Sequence, residues 1–200
     1  MVSTGLETTT TVLRWLALYL LHWPDVQNQL YNEIIRVVGT KRYPELKDRE
    51  NLHLCQATIQ ETLRLASISP LGLPRKAIHK SSIGGYEIPA ETQLIFNYWN
   101  MHHDPNEWDD PETFNPHRWL DESGTYIPGR HRSFLPFSTG RRNCVGEMLA
   151  KKELFLVLTH FVRDFKVEPN ENEKFPTLEG GVGVTLAPLP FTALFTPRTD

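Results

Sequence analysis

"SFLPFSTGRRNCVGEMLAKKELFL", Ser133 to Leu156, sets a single cysteine, Cys144, between an arginine-rich, glycine-containing loop and the start of a long apolar-periodic helix. A zinc site would need several thiolates or imidazoles at fixed spacing, and a thiol nucleophile would need a histidine base beside it. The stretch offers neither. The position itself favours an anionic sulfur. It lies just ahead of a helix N-terminus, where unpaired N–H groups and the helix dipole stabilise negative charge. Arg141 and Arg142 add positive charge, and Gly140 and Gly146 let the backbone approach a flat ligand closely. Backbone N–H donors around a sulfur are also the usual means of tuning a metal thiolate. The other reading of a lone cysteine is a small apolar filler buried in a bend.

The rest of the chain narrows the choice. Its 200 residues can bury one sizeable core, and a net charge of −3 gives no general attraction to nucleic acid or anionic membrane. Cys55 and Cys144 cannot form a disulfide framework or a C-x-x-C pair, so they read as reduced thiols in a reducing, cytosol-facing compartment. The longest apolar run, "WLALYLLHW", is shorter than the roughly 20 residues of a membrane-spanning helix. Helical periodicity begins almost at the first residue with no signal peptide before it, so the expectation is a piece of a longer chain.

Apolar periodicity predicts helices over Leu6 to Leu21, from Pro24 to Gly39, over about Glu50 to Ala66 and from Gly146 to about Asp164. "SSIGGYEIPAETQLIFNYW", Ser81 to Trp99, alternates around Gly-Gly and Pro, as short strands do. His102 to Phe134 is dense in Pro, Gly, Asp and Asn, a length of irregular chain that a compact domain keeps only for a purpose. The tail "GGVGVTLAPLPFTALFTPR" predicts a terminal hairpin. The fold class is therefore mainly α with small β sheets (α+β).

Three further motifs carry chemistry. In "ETLR", Glu61 and Arg64 are spaced i, i+3 on one helix face. On an apolar helix such a pair is partly buried and needs partners, and Arg118 of "FNPHRW" can supply one. "TGLETTTT", Thr4 to Thr11, opens a helix with threonines whose hydroxyls can bond the carbonyl one turn earlier. Arg75 of "PLGLPRKAI" is a guanidinium fork suited to a carboxylate.

Together these motifs resemble the cytochrome P450 family over nearly all 200 residues. Phe137, Gly140, Arg142, Cys144 and Gly146 spell F-x-x-G-x-R-x-C-x-G, which is similar to that family's haem-binding loop. The resemblance implies that residues 1–200 are the C-terminal part of a P450 domain, beginning inside the long distal helix. It implies haem b, with Cys144 as the axial thiolate and metal ligand. Phe137, Gly140, Arg142, Gly146 and Arg75 would bind the cofactor, the two arginines at its propionates. Glu7 and Thr8 resemble the family's acid–alcohol pair for proton delivery. Glu61, Arg64 and Arg118 resemble its structural salt-bridge network. Trp119 departs from the family's usual Phe, a mild aromatic swap.

The implied activity is monooxygenation of a small apolar substrate, steroid- or xenobiotic-like, with electrons from NADPH–cytochrome P450 reductase and cytochrome b5 as a second candidate partner. A basic cluster of Arg130, Arg132, Arg141, Lys151 and Lys152 brackets the cysteine loop on the face where the family docks its reductase. Ile68 to Leu73 and Gly180 to Thr185 are the implied substrate-contacting segments. The family's location is the endoplasmic-reticulum membrane, cytosolic face, through an N-terminal anchor that this sequence does not contain. "ENLHLCQATIQETLRL", "SSIGGYEIP" and "GEMLAKKELFL" look most like animal microsomal members, in the branch of steroid 17-alpha-hydroxylase and the aryl hydrocarbon hydroxylases. Two rival readings are a haem-thiolate isomerase or dehydratase, and a non-catalytic remnant.

Overall fold

A computed structural model describes residues 2–129, 131–181, 183 and 185–198. Helices α1 (Val2–His22), α2 (Pro24–Val38), α3 (His53–Ala66) and α5 (Glu147–Asp164) form the body, with the one-and-a-half-turn α4 (Tyr98–His103) beside them. Among the described residues, four two-stranded antiparallel ladders run between them. In chain order the strands are β1 (Arg75–Lys76), β2 (Ser81–Ile83), β3 (Tyr86–Ile88), β4 (Gln93–Leu94), β5 (Phe165–Glu168), β6 (Gly180–Gly181), β7 (Ala187–Pro188) and β8 (Leu194–Pro197).

The core forms where the apolar stripes of the four long helices meet: Leu18 and Leu20 of α1, Leu30 and Ile34 of α2, Cys55 and Leu63 of α3, and Phe155 and Leu158 of α5. Each of the leucine, isoleucine and phenylalanine side chains contributes about 1.5–3 kcal/mol by leaving water. Cys55 is thus a buried apolar filler, whereas Cys144 is exposed. Polar groups lock the helices in place. Glu33 of α2 accepts the N–H groups of Leu54 and Cys55 at 2.9 and 3.0 Å, satisfying orphan donors in the first turn of α3. Gln27 accepts from Val167 N–H at 2.6 Å and donates to its carbonyl at 3.1 Å, acting as a strand partner for β5.

The helix expectations hold with two shifts, the first helix beginning at Val2 rather than Leu6. The third helix begins at His53 rather than near Glu50, because Leu46–Asn51 tightens into a 3₁₀ turn. The β2–β3 hairpin turns on Gly84 and Gly85, both with positive φ, as a primed two-residue turn demands. The tail differs more. Its local hairpin is the short β6–β7 pair, while β8 returns to pair with β5, Phe165 opposite Pro197. The expected irregular segment opens with the end of α4 and contains a 3₁₀ turn, Pro116–Trp119. Among the described residues no helix is long and apolar enough to cross a membrane.

Candidate functional site

The site is built on a brace. Glu61 and Arg64 have fully buried side chains, and their charges are matched by geometry rather than by water. Arg64 Nε and Nη2 donate to the two oxygens of Glu61 at 2.9 and 2.8 Å. Arg118 Nε and the Asn115 N–H both donate to Glu61 Oε1 at 3.0 Å. The remaining Arg64 nitrogen, Nη1, reaches the carbonyls of His102 and Pro111 at 2.7 and 2.8 Å. A buried pair survives only when its remaining donors and acceptors are met in this way. Trp119 is no mild swap: its indole Nε1 donates to Glu61 Oε2 at 2.9 Å, a bond that a phenylalanine cannot make.

This brace fixes the coil that leads to the cysteine loop. Glu107 takes Arg132 Nη2 at 2.5 Å and the Ser133 hydroxyl at 2.9 Å. Those two donors hold the Glu107 carboxyl at about 2, below the usual range. Farther along, the Cys144 N–H donates to the Phe137 carbonyl at 2.9 Å and closes the loop. Within it Gly140 sits at φ 72°, where only glycine is unstrained, and no atom lies within 4 Å of where a Cβ would be. Gly146 has φ −89°, so backbone strain does not require glycine there; a Cβ would meet only Cys144 Sγ, at 3.9 Å.

Cys144 is exposed, and among the described residues no donor is bonded to its sulfur. Val145 beside it is 87% exposed. Arg75 reaches the same loop: its Nη2 donates to Ser138 Oγ at 2.5 Å, and Ser138 also shares a hydrogen bond with Tyr98 OH at 2.9 Å. Arg142 is exposed and has no hydrogen-bond or ion-pair partner among the described residues. An accessible sulfur, an uncovered glycine backbone and two guanidinium groups fit an iron porphyrin with two carboxylates. Among the described residues no cluster of three His, Cys, Asp or Glu could hold a metal ion by itself.

Glu7 and Thr8 lie in the first turns of α1. Thr185 Oγ1 donates to Glu7 Oε1 at 3.3 Å. The loop carrying Thr185 is strapped down by three bonds: Trp15 Nε1 to the Leu186 carbonyl, Arg14 Nη2 to that of Pro188, and Leu186 N–H to that of Ile68, at 2.9, 3.0 and 2.9 Å. Leu186, just past the expected substrate segment Gly180 to Thr185, thus bonds Ile68, the first residue of the other expected segment, Ile68 to Leu73, beside α1; Val182 and Val184 lie outside the described residues. The basic cluster is weaker than its sequence suggests. Arg132 pairs with Glu107 and Lys151 with Glu147 at 2.6 Å, leaving Arg141 and Lys152; Arg130 lies outside the described residues. Sequence reasoning missed Glu33, Glu107 and His102, whose partners are remote in the chain.

The family profile described as Cytochrome P450 matches residues 1–195. The chain is 47% identical over 182 residues to steroid 17-alpha-hydroxylase/17,20 lyase of Gallus gallus, covering 91% of this chain and 36% of that protein. It is 46% identical to the Rana dybowskii protein of the same name, covering 95% and 37%. A solved structure of a zebra fish cytochrome P450 with abiraterone superposes with a TM-score of 0.89 at 40% identity, over 96% of this chain and 45% of that one. A second, with progesterone, gives 0.89 and 40% over 98% and 43%. The chain thus spans little more than a third of the length of the curated relatives it matches.

Proposed function

The chain belongs to the cytochrome P450 family, and from that membership we propose that residues 1–200 form the C-terminal part of a steroid-hydroxylating P450 domain. The cofactor is haem b, the haem-thiolate group of the family, which when bound supplies the oxidation chemistry itself. In the proposed reaction one oxygen atom of O2 enters a C–H bond of the substrate and the other leaves as water. The two electrons come from NADPH through a flavoprotein reductase.

The protein's part is binding, orientation and proton handling. Cys144 would supply the sulfur ligand, its backbone N–H bonded to the Phe137 carbonyl and its chain running on into α5, which starts at Glu147. Arg75 and Arg142 would hold the haem's two carboxylates. Glu7, steadied by Thr185, passes protons towards Thr8 on the same helix. Ile68 to Leu73 and the strapped tail loop line the substrate side, with Leu71 and Leu73 exposed there. Steroids are the proposed substrates because the relatives above are steroid 17-alpha-hydroxylase/17,20 lyases. NADPH–cytochrome P450 reductase and cytochrome b5 are the proposed partners at Arg141 and Lys152, and the endoplasmic-reticulum membrane is the proposed location.

The observation that carries this reading is the exposed Cys144 beside an arginine-bearing loop closed on itself. Its test is oxygen and NADPH consumption with progesterone by the natural protein carrying this chain, reconstituted with reductase. Stoichiometric formation of a hydroxylated steroid supports the reading. Steroid conversion without oxygen uptake supports the isomerase or dehydratase instead.

A further inference from the structure

His102 is a fully buried imidazole outside every motif that marked the site. It sits at the end of α4, and each ring nitrogen has one partner. The Leu135 N–H donates to Nε2 at 3.0 Å, so Nε2 carries no proton. Nδ1 then bears the hydrogen and donates to Ser67 Oγ at 2.6 Å, and that hydroxyl passes on to the Arg64 carbonyl at 3.0 Å. Arg64 returns the contact through Nη1 to the His102 carbonyl, at 2.7 Å. The ring thus joins three pieces of chain: the left-handed cap of α3 at Ser67, α4, and Leu135 at the head of the cysteine loop.

Leu135 is where the loop hangs. Its carbonyl accepts from the Ser138 N–H at 3.0 Å, and Ser138 Oγ is the acceptor for Arg75. Two residues after Leu135, the Phe137 carbonyl receives the Cys144 N–H. No other side chain among the described residues bonds the Leu135 N–H. We infer that His102 is a positioning residue for the haem ligand: its neutral, Nδ1-protonated ring ties the brace at Arg64 to the loop that presents Cys144. This rests on the reading of Cys144 as the thiolate ligand.

The assignment makes a chemical distinction between substitutions. A glutamine carbonyl can occupy the place of Nε2 and accept from Leu135, whereas an asparagine reaches only as far as Nδ1 and serves Ser67. A leucine serves neither. Losing the acceptor of one buried N–H shifts a local equilibrium by about tenfold or more.

The experiment uses the holoprotein carrying this chain, as wild type, His102→Gln, His102→Asn and His102→Leu. It reads the Soret band of the ferrous carbon-monoxide complex and the hydrogen exchange of the Leu135 amide. The expected result is a thiolate-type, long-wavelength band in wild type and His102→Gln. In His102→Asn and His102→Leu the share of the short-wavelength form should rise about tenfold, with Leu135 exchanging about tenfold faster. Should His102→Leu fail to fold, the contrast between Gln and Asn decides alone. Equal spectra and equal exchange in those two would overturn the inference and leave the ligand reading intact. A wild-type holoprotein without the long-wavelength band would overturn the ligand reading, and the inference with it.

Discussion

At the residue scale, the hardest problem this sequence solves is a carboxylate with no access to water. Glu61 is stable where it is because five donors, from Arg64 twice, Arg118, Asn115 and Trp119, converge on its two oxygens. Removing its charge by Glu61→Gln would leave Arg64 buried and unmatched, at a cost of about 3–5 kcal/mol in denaturant unfolding. Trp119→Phe is the finer probe, because the ring is kept and only the Nε1 donor is lost. We predict a loss of about 1–3 kcal/mol; an unchanged unfolding midpoint would mean that the indole bond contributes nothing. Glu61, Arg64 and Arg118 could be picked from the sequence because two of them lie one turn apart on an apolar helix. The indole's role could not, since tryptophan and phenylalanine look alike until the acceptor is seen.

At the element scale, α3 is positioned by a group on another helix. Glu33 caps its first turn, so Glu33→Ala should expose two backbone donors to an apolar neighbourhood and lower stability by about 1–3 kcal/mol. The same substitution should speed exchange of the Leu54 and Cys55 amides, and unaltered exchange would refute the cap. The long helices were legible because an apolar stripe repeats over several turns in each. The element that holds His102 was not. Six residues are too few to show a period, and YWNMHH sits beside turn-forming residues. The tail was half legible. Its local β6–β7 pair follows from alternation, but β8 pairs with a strand about thirty residues earlier, and nothing in the local pattern encodes that register. For the site, the F-x-x-G-x-R-x-C-x-G spacing located the loop, while the hydrogen bonds that suspend it came only from tertiary contact.

At the scale of the whole molecule, buried and paired groups, His102, Asp48 and Glu107 among them, set how the fold answers to acid. Burial, helped by the neighbouring His103 and Arg64, pushes His102 from 6.5 down to about 3. Arg42 draws Asp48 down to about 2, and Arg132 with Ser133 draws Glu107 to about 2. In each case the folded state binds its proton less readily than the unfolded chain. Stability is therefore complete above the unfolded value and is lost as pH falls towards the folded one. The histidines act first: His102 contributes a slope of about 1.4 kcal/mol per pH unit between pH 6.5 and about 3, and His103, lowered mainly by burial, adds to it below pH 6.5; Glu107 follows below pH 4.5 and Asp48 below pH 3.8. His102→Gln should reduce the slope of the first segment, leaving the part due to His103, and an unchanged slope would show that His102 does not titrate there. Two of these groups, His102 through Leu135 and Glu107 through Ser133, hold the chain that leads to the loop proposed to present Cys144 to haem. The carbon-monoxide spectrum of the reduced holoprotein, wild type against Cys144→Ser, tests that claim most directly. The thiolate-type long-wavelength band should be present in wild type and absent from Cys144→Ser, and its survival in the serine variant would contradict the account.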